Sequence, residues 1–210
     1  HLLSAGLDRR WRRQAIQSLA LTGRERVLDL CTGTADLAIA ARTARPQASA
    51  VVGVDFAGAM LEVGRRKLAR LGERRVTLVR GDVTRIPVAD RTVDAVTVAF
   101  GIRNVEQTEA ACAEMYRVLA PGGRLAVLEF AIPTTPVVRQ VYLWYFRHVL
   151  PRVGRTISGH GSAYGYLPAS VGAFATPDEF AAMLRRVGFS DVRARPLTLG
   201  TVYLFAARRG

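Results

Sequence analysis

Four residues near the start of the chain have the types and spacing to hold a nucleoside cofactor. An apolar run containing Asp29 leads into Gly33 and Thr34, and the next apolar run ends in Asp55. A glycine at a helix start lets a ligand approach unpaired backbone N–H groups, and a carboxylate at the next strand end can accept both ribose hydroxyls. A single glycine, in place of Gly-x-Gly-x-x-Gly, suits a cofactor without a pyrophosphate. The pattern favours S-adenosylmethionine over NAD.

Further polar residues follow the third and fourth apolar runs. Asp82, next to Val83, can accept a hydrogen bond from an adenine amine, and turn formation is the alternative. Arg103 and Asn104 follow the fourth run, where a substrate meets the cofactor in this architecture; capping of the next helix is the alternative for Asn104. Glu129 ends the fifth run and is expected to hold a polar network beneath the pocket.

The elements that must position these residues alternate along the chain, as in a parallel sheet covered by helices on both faces. Strands are predicted over 27–31, 51–55, 76–80, 93–99 and 124–130. Helices are predicted over 8–20, 35–44, 57–71, 106–119 and 177–187, the last with Thr176 as N-cap and Gly188 at its end. Two final strands, about 191–195 and 198–207, indicate an antiparallel edge.

The chain is interpreted as a single domain over residues 1–210, because no repeat or low-complexity linker divides it. Residues 1–22 form an N-terminal helical segment. The breaker 121–123 is expected to turn directly into strand five. The alternation stops in 133–175, an expected insertion on the active-site face. Within it, 137–150 is apolar nearly all round, so a helix there is either buried or apposed to lipid.

The charge balance is strongly basic, at +13 with a pI near 11.1, which implies attraction to anionic surfaces such as nucleic acid or acidic phospholipid. Almost all of it is arginine, since Lys67 is the only lysine. The arginines occur mostly in pairs, so solvated helix faces explain most of them. Because no RNA module is visible, no nucleic-acid partner is expected. A basic RNA-binding or RNA-methylating protein remains a distant alternative.

The two cysteines, Cys31 and Cys112, have no metal-type spacing and are interpreted as buried thiols in a reducing cytosol. No metal site is therefore expected. The sequence has no run of 18 apolar residues and no signal-peptide pattern. We expect a cytoplasmic protein with no transmembrane helix.

The order and spacing of several motifs resemble the seven-strand Rossmann-like methyltransferases that use S-adenosylmethionine. They are Asp29-x-x-x-Gly33, Asp55, Gly81-Asp82 and Arg117-Val-Leu-Ala-Pro-Gly-Gly123. The resemblance implies an α/β fold with a seven-stranded, mostly parallel sheet, helices on both faces and an antiparallel last strand.

A narrower resemblance covers nearly the whole chain. Its motifs are Phe100-Gly-Ile-Arg-Asn-Val105, Met115-Tyr-Arg-Val-Leu119, Leu128-Glu-Phe130, His148-Val-Leu-Pro-Arg-Val-Gly154 and Tyr164-Gly-Tyr-Leu-Pro-Ala-Ser170. They are similar to the quinone-biosynthesis C-methyltransferases, the family of demethylmenaquinone methyltransferase and 2-polyprenyl-6-methoxy-1,4-benzoquinol methylase. The family implies methyl transfer from S-adenosylmethionine to a polyprenyl quinol ring, with S-adenosylhomocysteine as product. Ala99 departs from it, since a serine is often found at that position.

The resemblance also implies residue roles. Catalysis is assigned to Arg103, Asn104, Tyr166 and His148, with the proton acceptor left open among water, Tyr166 and His148. Cofactor binding is assigned to Asp29, Gly33, Thr34, Asp55, Phe56, Asp82, Val83 and Ala99. Substrate binding is assigned to Phe100, Tyr142 and Tyr164. Aromatic packing is the alternative for the tyrosines, and a packed or capping role is the alternative for His148.

A lipid-tailed quinol is the expected partner, which leaves room for peripheral contact with the cytoplasmic membrane face and for a homodimer. The nearest alternative is a methyltransferase for another small aromatic or natural-product phenol. It would share the cofactor half of the site.

Overall fold

The computed structural model describes residues 6–44, 50–145 and 170–210. One seven-stranded sheet runs through this part of the chain in the order β3-β2-β1-β4-β5-β7-β6. The strands are β1 (Val27–Leu30), β2 (Val51–Asp55), β3 (Val76–Arg80), β4 (Val93–Ala99), β5 (Leu119–Phe130), β6 (Phe189–Leu197) and β7 (Val202–Arg209). Strands β1 to β5 pair in parallel, and β7 is antiparallel to both β5 and β6. The predicted fold class and antiparallel edge are confirmed.

The helices of the described residues include α1 (Leu7–Ser18), α2 (Asp36–Ala44), α3 (Gly58–Leu71), α4 (Thr108–Val118), α5 (Pro136–Trp144) and α6 (Pro177–Val187). One core cluster packs α1, α2 and α3 on one face through residues such as Ile16, Ala38 and Leu61. The other packs α4 and α6 on the opposite face through residues such as Met115 and Phe180. Both faces of the parallel strands are thus covered, which explains their continuous apolar runs.

Helix α6 begins and ends where the sequence predicts. The Thr176 hydroxyl accepts from the Glu179 backbone N–H, and the Glu179 carboxylate accepts from the Thr176 backbone N–H, which forms a capping box. Gly188 ends the helix in the left-handed conformation, with φ of 116°. These two local signals mark the first and the last turn of α6.

The start of β5 differs from the prediction. The segment 121–123 is not a turn ahead of the strand but lies inside it, because Leu119 already pairs with Val93. The register then shifts, and pairing resumes between Ala95 and Arg124. Gly122 takes a positive φ of 73° within this irregularity. The Pro-Gly-Gly segment therefore forms a bulge, which a breaker pattern alone does not distinguish from a turn.

The final strands are placed differently from the prediction: β6 begins earlier and ends later than 191–195, and β7 begins and ends later than 198–207. A 3-10 turn at Thr198–Gly200 separates β6 from β7, so residues predicted to begin the last strand form the connection instead. Leu199 takes a positive φ of 57° in this turn and is exposed.

Helix α5 lies in the expected insertion; none of its residues is fully buried, and Tyr142 is half-buried. Val137, Val141 and Trp144 are exposed at helical spacing, so these turns form an apolar stripe on the surface of the described residues. Within the described ranges, no helix has the length and apolar character needed to cross a bilayer.

Candidate active site

A cleft of about 850 Å³ opens where β1, β2 and β4 end, and we call it the strand-end cleft. All eight residues predicted to bind the cofactor line it. Phe100 and Asn104, predicted for substrate and catalysis, line it as well. Residues far apart in the sequence meet here because the carboxyl ends of parallel strands share one edge of the sheet.

Asp29 is almost fully buried, with 1% of its surface exposed at the base of the cleft. Its two carboxylate oxygens accept hydrogen bonds from the Thr32 hydroxyl at 2.6 Å and the Thr97 hydroxyl at 2.7 Å. Burial raises the pKa of the Asp29 carboxyl to about 6, against the opposing effect of the two hydroxyls. A cation in the cleft would favour the ionised form.

Asp55 is held by backbone groups at the end of β2. Its carboxylate accepts from the Gly33 N–H and from the Ala57 N–H, each at 2.8 Å. Gly33 takes a positive φ of 55°, so the turn needs a residue that tolerates the left-handed region. The Gly33 N–H, in a residue expected to bind the cofactor, is thus directed at Asp55. Fixed this way, the Asp55 carboxylate is preorganised to accept from a ligand.

The side chain of Thr34 belongs to a polar cluster that the sequence did not predict. The Lys67 ammonium donates to the Thr34 carbonyl at 2.8 Å, to the Thr34 hydroxyl at 3.0 Å and to Asp36 at 2.8 Å. The Thr34 hydroxyl donates to Asp36 at 3.0 Å. Lys67, on α3, thereby ties the turn before α2 to the next helix. The signal that could have revealed it is that it is the only lysine of the chain.

An apolar rim borders the cleft beside Asp55. Phe56 is 69% exposed, and Met60 on α3 is also exposed. The Arg80 guanidinium lies 5.6 Å from the Phe56 ring centroid and donates to the Phe56 carbonyl at 3.1 Å. An exposed aromatic ring in this place can stack on a planar base.

Asp82 and Val83 form the next part of the wall. The Asp82 carboxylate accepts from both the backbone N–H and the hydroxyl of Thr84, each at 2.8 Å, so it also forms the turn proposed as its alternative role. The Thr84 N–H holds the pKa of Asp82 below its ordinary value. Asp82 is exposed and Val83 is buried, so a carboxylate and an apolar surface stand side by side.

The segment after β4 brings Ala99, Phe100 and Asn104 to the cleft. Phe100 takes a positive φ of 60°, and its N–H donates to the Leu128 carbonyl at 2.8 Å. A Cβ on Gly101 would lie 2.3 Å from the Cβ of Cys31, so only glycine fits there. Burial raises the pKa of the Cys31 thiol to about 12, which agrees with the predicted inert thiol. Asn104 is exposed on the cleft wall.

Arg103 points away from the strand-end cleft into a buried ion pair. Its Nη1 donates to Glu129 at 2.6 Å and to the Phe100 carbonyl at 2.6 Å, and its Nε donates to the Ser170 hydroxyl at 3.3 Å. Its backbone N–H donates to the same carboxylate at 3.2 Å. The side chains of Arg103 and Glu129 are 9% and 1% exposed. Glu129 thus holds the polar network expected beneath the pocket.

A second cavity of about 450 Å³ lies on the other side of this segment and is lined by Arg103, Ser170, Phe174 and Met183 among others. It shares Val105 and Glu106 with the strand-end cleft. The turn that carries Arg103 and Asn104 therefore separates two adjoining spaces, with Asn104 on one and Arg103 on the other.

Tyr142 lies on α5 near this ion pair. Burial raises the pKa of its phenol above the ordinary value, while Arg103 acts in the opposite direction. His148, Tyr164 and Tyr166 lie outside the described residues.

Arg12 on α1 is a further cleft residue that the sequence did not predict. It belongs to the pair Arg12-Arg13, and a solvated helix face is the expectation for most such pairs. In the structure its side chain is only 17% exposed and bonds to Asp8 at 2.7 Å.

Comparison with known proteins places these features in context. A family model described as the ubiE/COQ5 methyltransferase family matches residues 1–209. A relative named ubiquinone/menaquinone biosynthesis C-methyltransferase UbiE, from Syntrophotalea carbinolica, is 50% identical over 99% of this chain and 86% of its own length. A demethylmenaquinone methyltransferase from Thermus thermophilus is 47% identical over 99% of this chain and 93% of its own length.

A solved structure also shares the fold. The SAM-dependent methyltransferase from Aquifex aeolicus superposes with a TM-score of 0.71 at 17% identity, over 95% of this chain and 89% of that one. At such low identity the likeness concerns the fold alone.

Proposed function

Because the chain belongs to the ubiE/COQ5 methyltransferase family, we propose that it is an S-adenosylmethionine-dependent C-methyltransferase of menaquinone biosynthesis. Its reaction converts demethylmenaquinol to menaquinol, and the benzoquinol of the ubiquinone pathway is a further substrate. The observation that carries this proposal is identity of 40 to 50% over nearly the full chain to relatives named for these reactions. The acid-lined cleft supports the cofactor half independently.

The residues of the strand-end cleft fit S-adenosylmethionine, which when bound supplies the sulfonium methyl group that is transferred. Asp55, with its carboxylate fixed by two backbone N–H groups, would accept from the ribose hydroxyls. Asp82 and Val83 would hold the adenine together with the exposed ring of Phe56. Asp29 would balance the positive charge of the methionine end, directly or through water. No metal takes part in the proposed reaction.

The chain's main catalytic task is positioning. A methyl acceptor held about 3 to 3.5 Å from the methyl carbon gains at most roughly 7 to 11 kcal/mol over free encounter. A quinol ring carbon becomes nucleophilic when a hydroxyl ionises, and positive charge near that oxygen favours the ionised form. The sulfonium of the bound cofactor would supply that charge. Arg103 is paired with Glu129 at 2.6 Å, so we assign Arg103 to fixing the turn and the holding of the ring oxygens to Asn104, which the same turn carries. Arg103 is not the base, because a guanidinium stays protonated. The proton acceptor is water, Tyr166 or His148.

The quinol would reach the cofactor through the second cavity, since Val105 and Glu106 border both spaces. Its lipid tail would favour a membrane surface, and α5 presents exposed Val137, Val141 and Trp144 on a chain of net charge +13. We therefore place the protein peripherally on the cytoplasmic membrane face. Val141→Asp should reduce sedimentation with anionic vesicles, whereas Val63→Asp on α3 should not.

The proposed reaction is tested in two steps. Calorimetric titration with S-adenosylhomocysteine measures cofactor-site binding, and mass spectrometry then detects methylated product from reduced naphthoquinol and benzoquinol acceptors. Asn104→Ala should lower turnover by roughly 10²-fold with little change in S-adenosylhomocysteine affinity. If the protein binds the nucleoside but methylates only another phenol, the quinol assignment is wrong and the small-aromatic alternative replaces it.

A further inference from the structure

The strand-end cleft carries an uneven set of charges. Five acidic residues line it: Asp29, Asp36, Asp55, Asp82 and Glu106. Arg12 is the one arginine or lysine among the described residues of its wall. The acids suit a sulfonium, an ammonium and hydroxyl groups. The proposed cofactor also has one carboxylate, which needs donors when it leaves water.

Arg12 is held beside the cleft by the packing of α1. Its neighbour Trp11 is buried, and its ring packs edge-on against Phe100 with centroids 5.9 Å apart. The Trp11 indole N–H donates to the Thr198 hydroxyl at 2.9 Å. These contacts of Trp11 fix α1 over the ends of β4 and β7. The backbone of Arg12 is therefore held in place beside the cleft.

The guanidinium of Arg12 retains capacity for another acceptor. Its Nη1 donates to Asp8 at 2.7 Å, and its Nη2 lies 3.9 Å from Asp36. A guanidinium has five N–H donors in a planar fork that matches a carboxylate, and these two acids engage only a part of that set. Arg12 also acts electrostatically on Asp29 across the cleft, which lowers the pKa of that carboxyl against the effect of burial.

Two other donors of the cofactor turn are already engaged. The Gly33 N–H is bonded to Asp55, and the Thr34 hydroxyl is bonded within the cluster of Lys67 and Asp36. Both residues line the cleft, but these two donors already have acceptors. Arg12 is the group whose charge and donor geometry match the remaining part of the ligand.

We propose that Arg12 binds the α-carboxylate of the methionyl end of the cofactor, and so selects adenosyl ligands that carry this group. The inference rests on the proposed function, because it assumes that S-adenosylmethionine occupies the strand-end cleft. It assigns to the N-terminal helix a direct part in cofactor recognition.

A double-mutant cycle tests this proposal, with one change made in the protein and the other in the ligand. Affinities of the wild type and of Arg12→Met are measured by calorimetry for S-adenosylhomocysteine and for S-adenosyl-3-thiopropylamine. The second ligand keeps the ammonium and lacks only the carboxylate. Arg12→Met should weaken the affinity for S-adenosylhomocysteine by roughly 10- to 100-fold, the range for a hydrogen bond between charged groups. Binding of the amine should change less than about threefold, because its carboxylate is already absent.

The control is Arg13→Met, an exposed neighbour that lines the groove between α1 and α2 and not the cleft. It should bind both ligands as the wild type does. If Arg12→Met lowers the affinity for both ligands equally, or for neither, the proposed role of Arg12 is wrong and the proposed function still stands. A wild type that binds neither ligand would overturn both. If Arg12→Met does not fold, Arg12→Lys takes its place: a loss confined to the carboxylate ligand supports the proposal, and an equal loss overturns it.

Discussion

Replacing Glu129 with glutamine tests whether the ion pair with Arg103 supports the active-site turn. Glutamine keeps the volume of the side chain but removes the charge opposite a guanidinium that is only 9% exposed. It also replaces one of the two oxygens that accept from Arg103 with an NH2 donor. Breaking a buried pair by removing one partner costs about 3 to 5 kcal/mol, since the remaining charge stays buried without compensation.

Urea denaturation at neutral pH measures this cost directly. Glu129→Gln should lower the free energy of unfolding by about 3 to 5 kcal/mol, and Arg103→Met should have a comparable effect. The double variant should cost clearly less than the sum of the two, because neither charge is then left alone. Glu109→Gln is the matched control: its pair with Arg186 spans 3.4 Å, with both side chains more than half exposed. That change should cost less than about 1 kcal/mol.

Enzyme assays on the same variants separate support from chemistry. The ion pair fixes the turn that carries Asn104 and does not line the strand-end cleft, so Glu129→Gln should lower turnover more than it lowers S-adenosylhomocysteine affinity. The reasoning is refuted if Glu129→Gln is no more destabilising than Glu109→Gln, or if the effects of Glu129→Gln and Arg103→Met simply add.

Four further outcomes follow from single groups. Burial alone would raise the pKa of the Glu25 carboxyl, but the N–H groups of Thr22 and Gly23 outweigh burial and lower the pKa to about 2. The ionised Glu25 therefore contributes at most about 3 kcal/mol to the free energy of unfolding above pH 4.5. In urea melts, the loss of unfolding free energy caused by Glu25→Gln should vanish as the pH falls to 2. Because burial raises the pKa of Asp29 to about 6, calorimetric S-adenosylhomocysteine affinity should fall as the pH drops through 6, and Asp29→Asn should flatten that profile. Lys67→Arg should raise KM for S-adenosylmethionine more than it lowers kcat, since a planar fork cannot reproduce three bonds from one ammonium, whereas Arg66→Lys should be silent. Gly101→Ala should lower the free energy of unfolding by about 1 to 3 kcal/mol in the same melts, because its methyl group would collide with Cys31.

The fold was predictable where local signals decide the outcome. The bounds of β2, β3 and β4 coincide with the predicted strands, and the runs of β2 and β3 end at Asp55 and immediately before Gly81. The bounds of β5 were not predictable in the same way. Whether 121–123 is a turn or a bulge depends on the pairing of Leu119 with Val93, a contact between residues far apart in sequence.

The candidate site was also predictable only in part. Acidic residues at strand ends could be placed from sequence, because a parallel sheet brings its carboxyl ends together whatever the details of packing. The direction of the Arg103 side chain could not be predicted from the sequence, because it depends on where Glu129 lies when β4 and β5 pair. Lys67 and Arg12 reach the cleft region through the docking of α3 and α1, and nothing in their own sequence neighbourhoods distinguishes them from solvated cations.

This explains why a net charge of +13 says little about the chemistry of the protein. Arg26 and Arg66 are 58% and 69% exposed and form ordinary surface pairs, which contribute little to stability. Arg103 and Arg12 are 9% and 17% exposed and lie among several acceptors, where desolvation makes each hydrogen bond stronger and more directional. A cation acquires a specific role when folding removes it from water beside acceptors that it must satisfy. The roles proposed for Arg12 and Arg103 therefore rest on their burial and their partners, and not on the number of arginines in the composition.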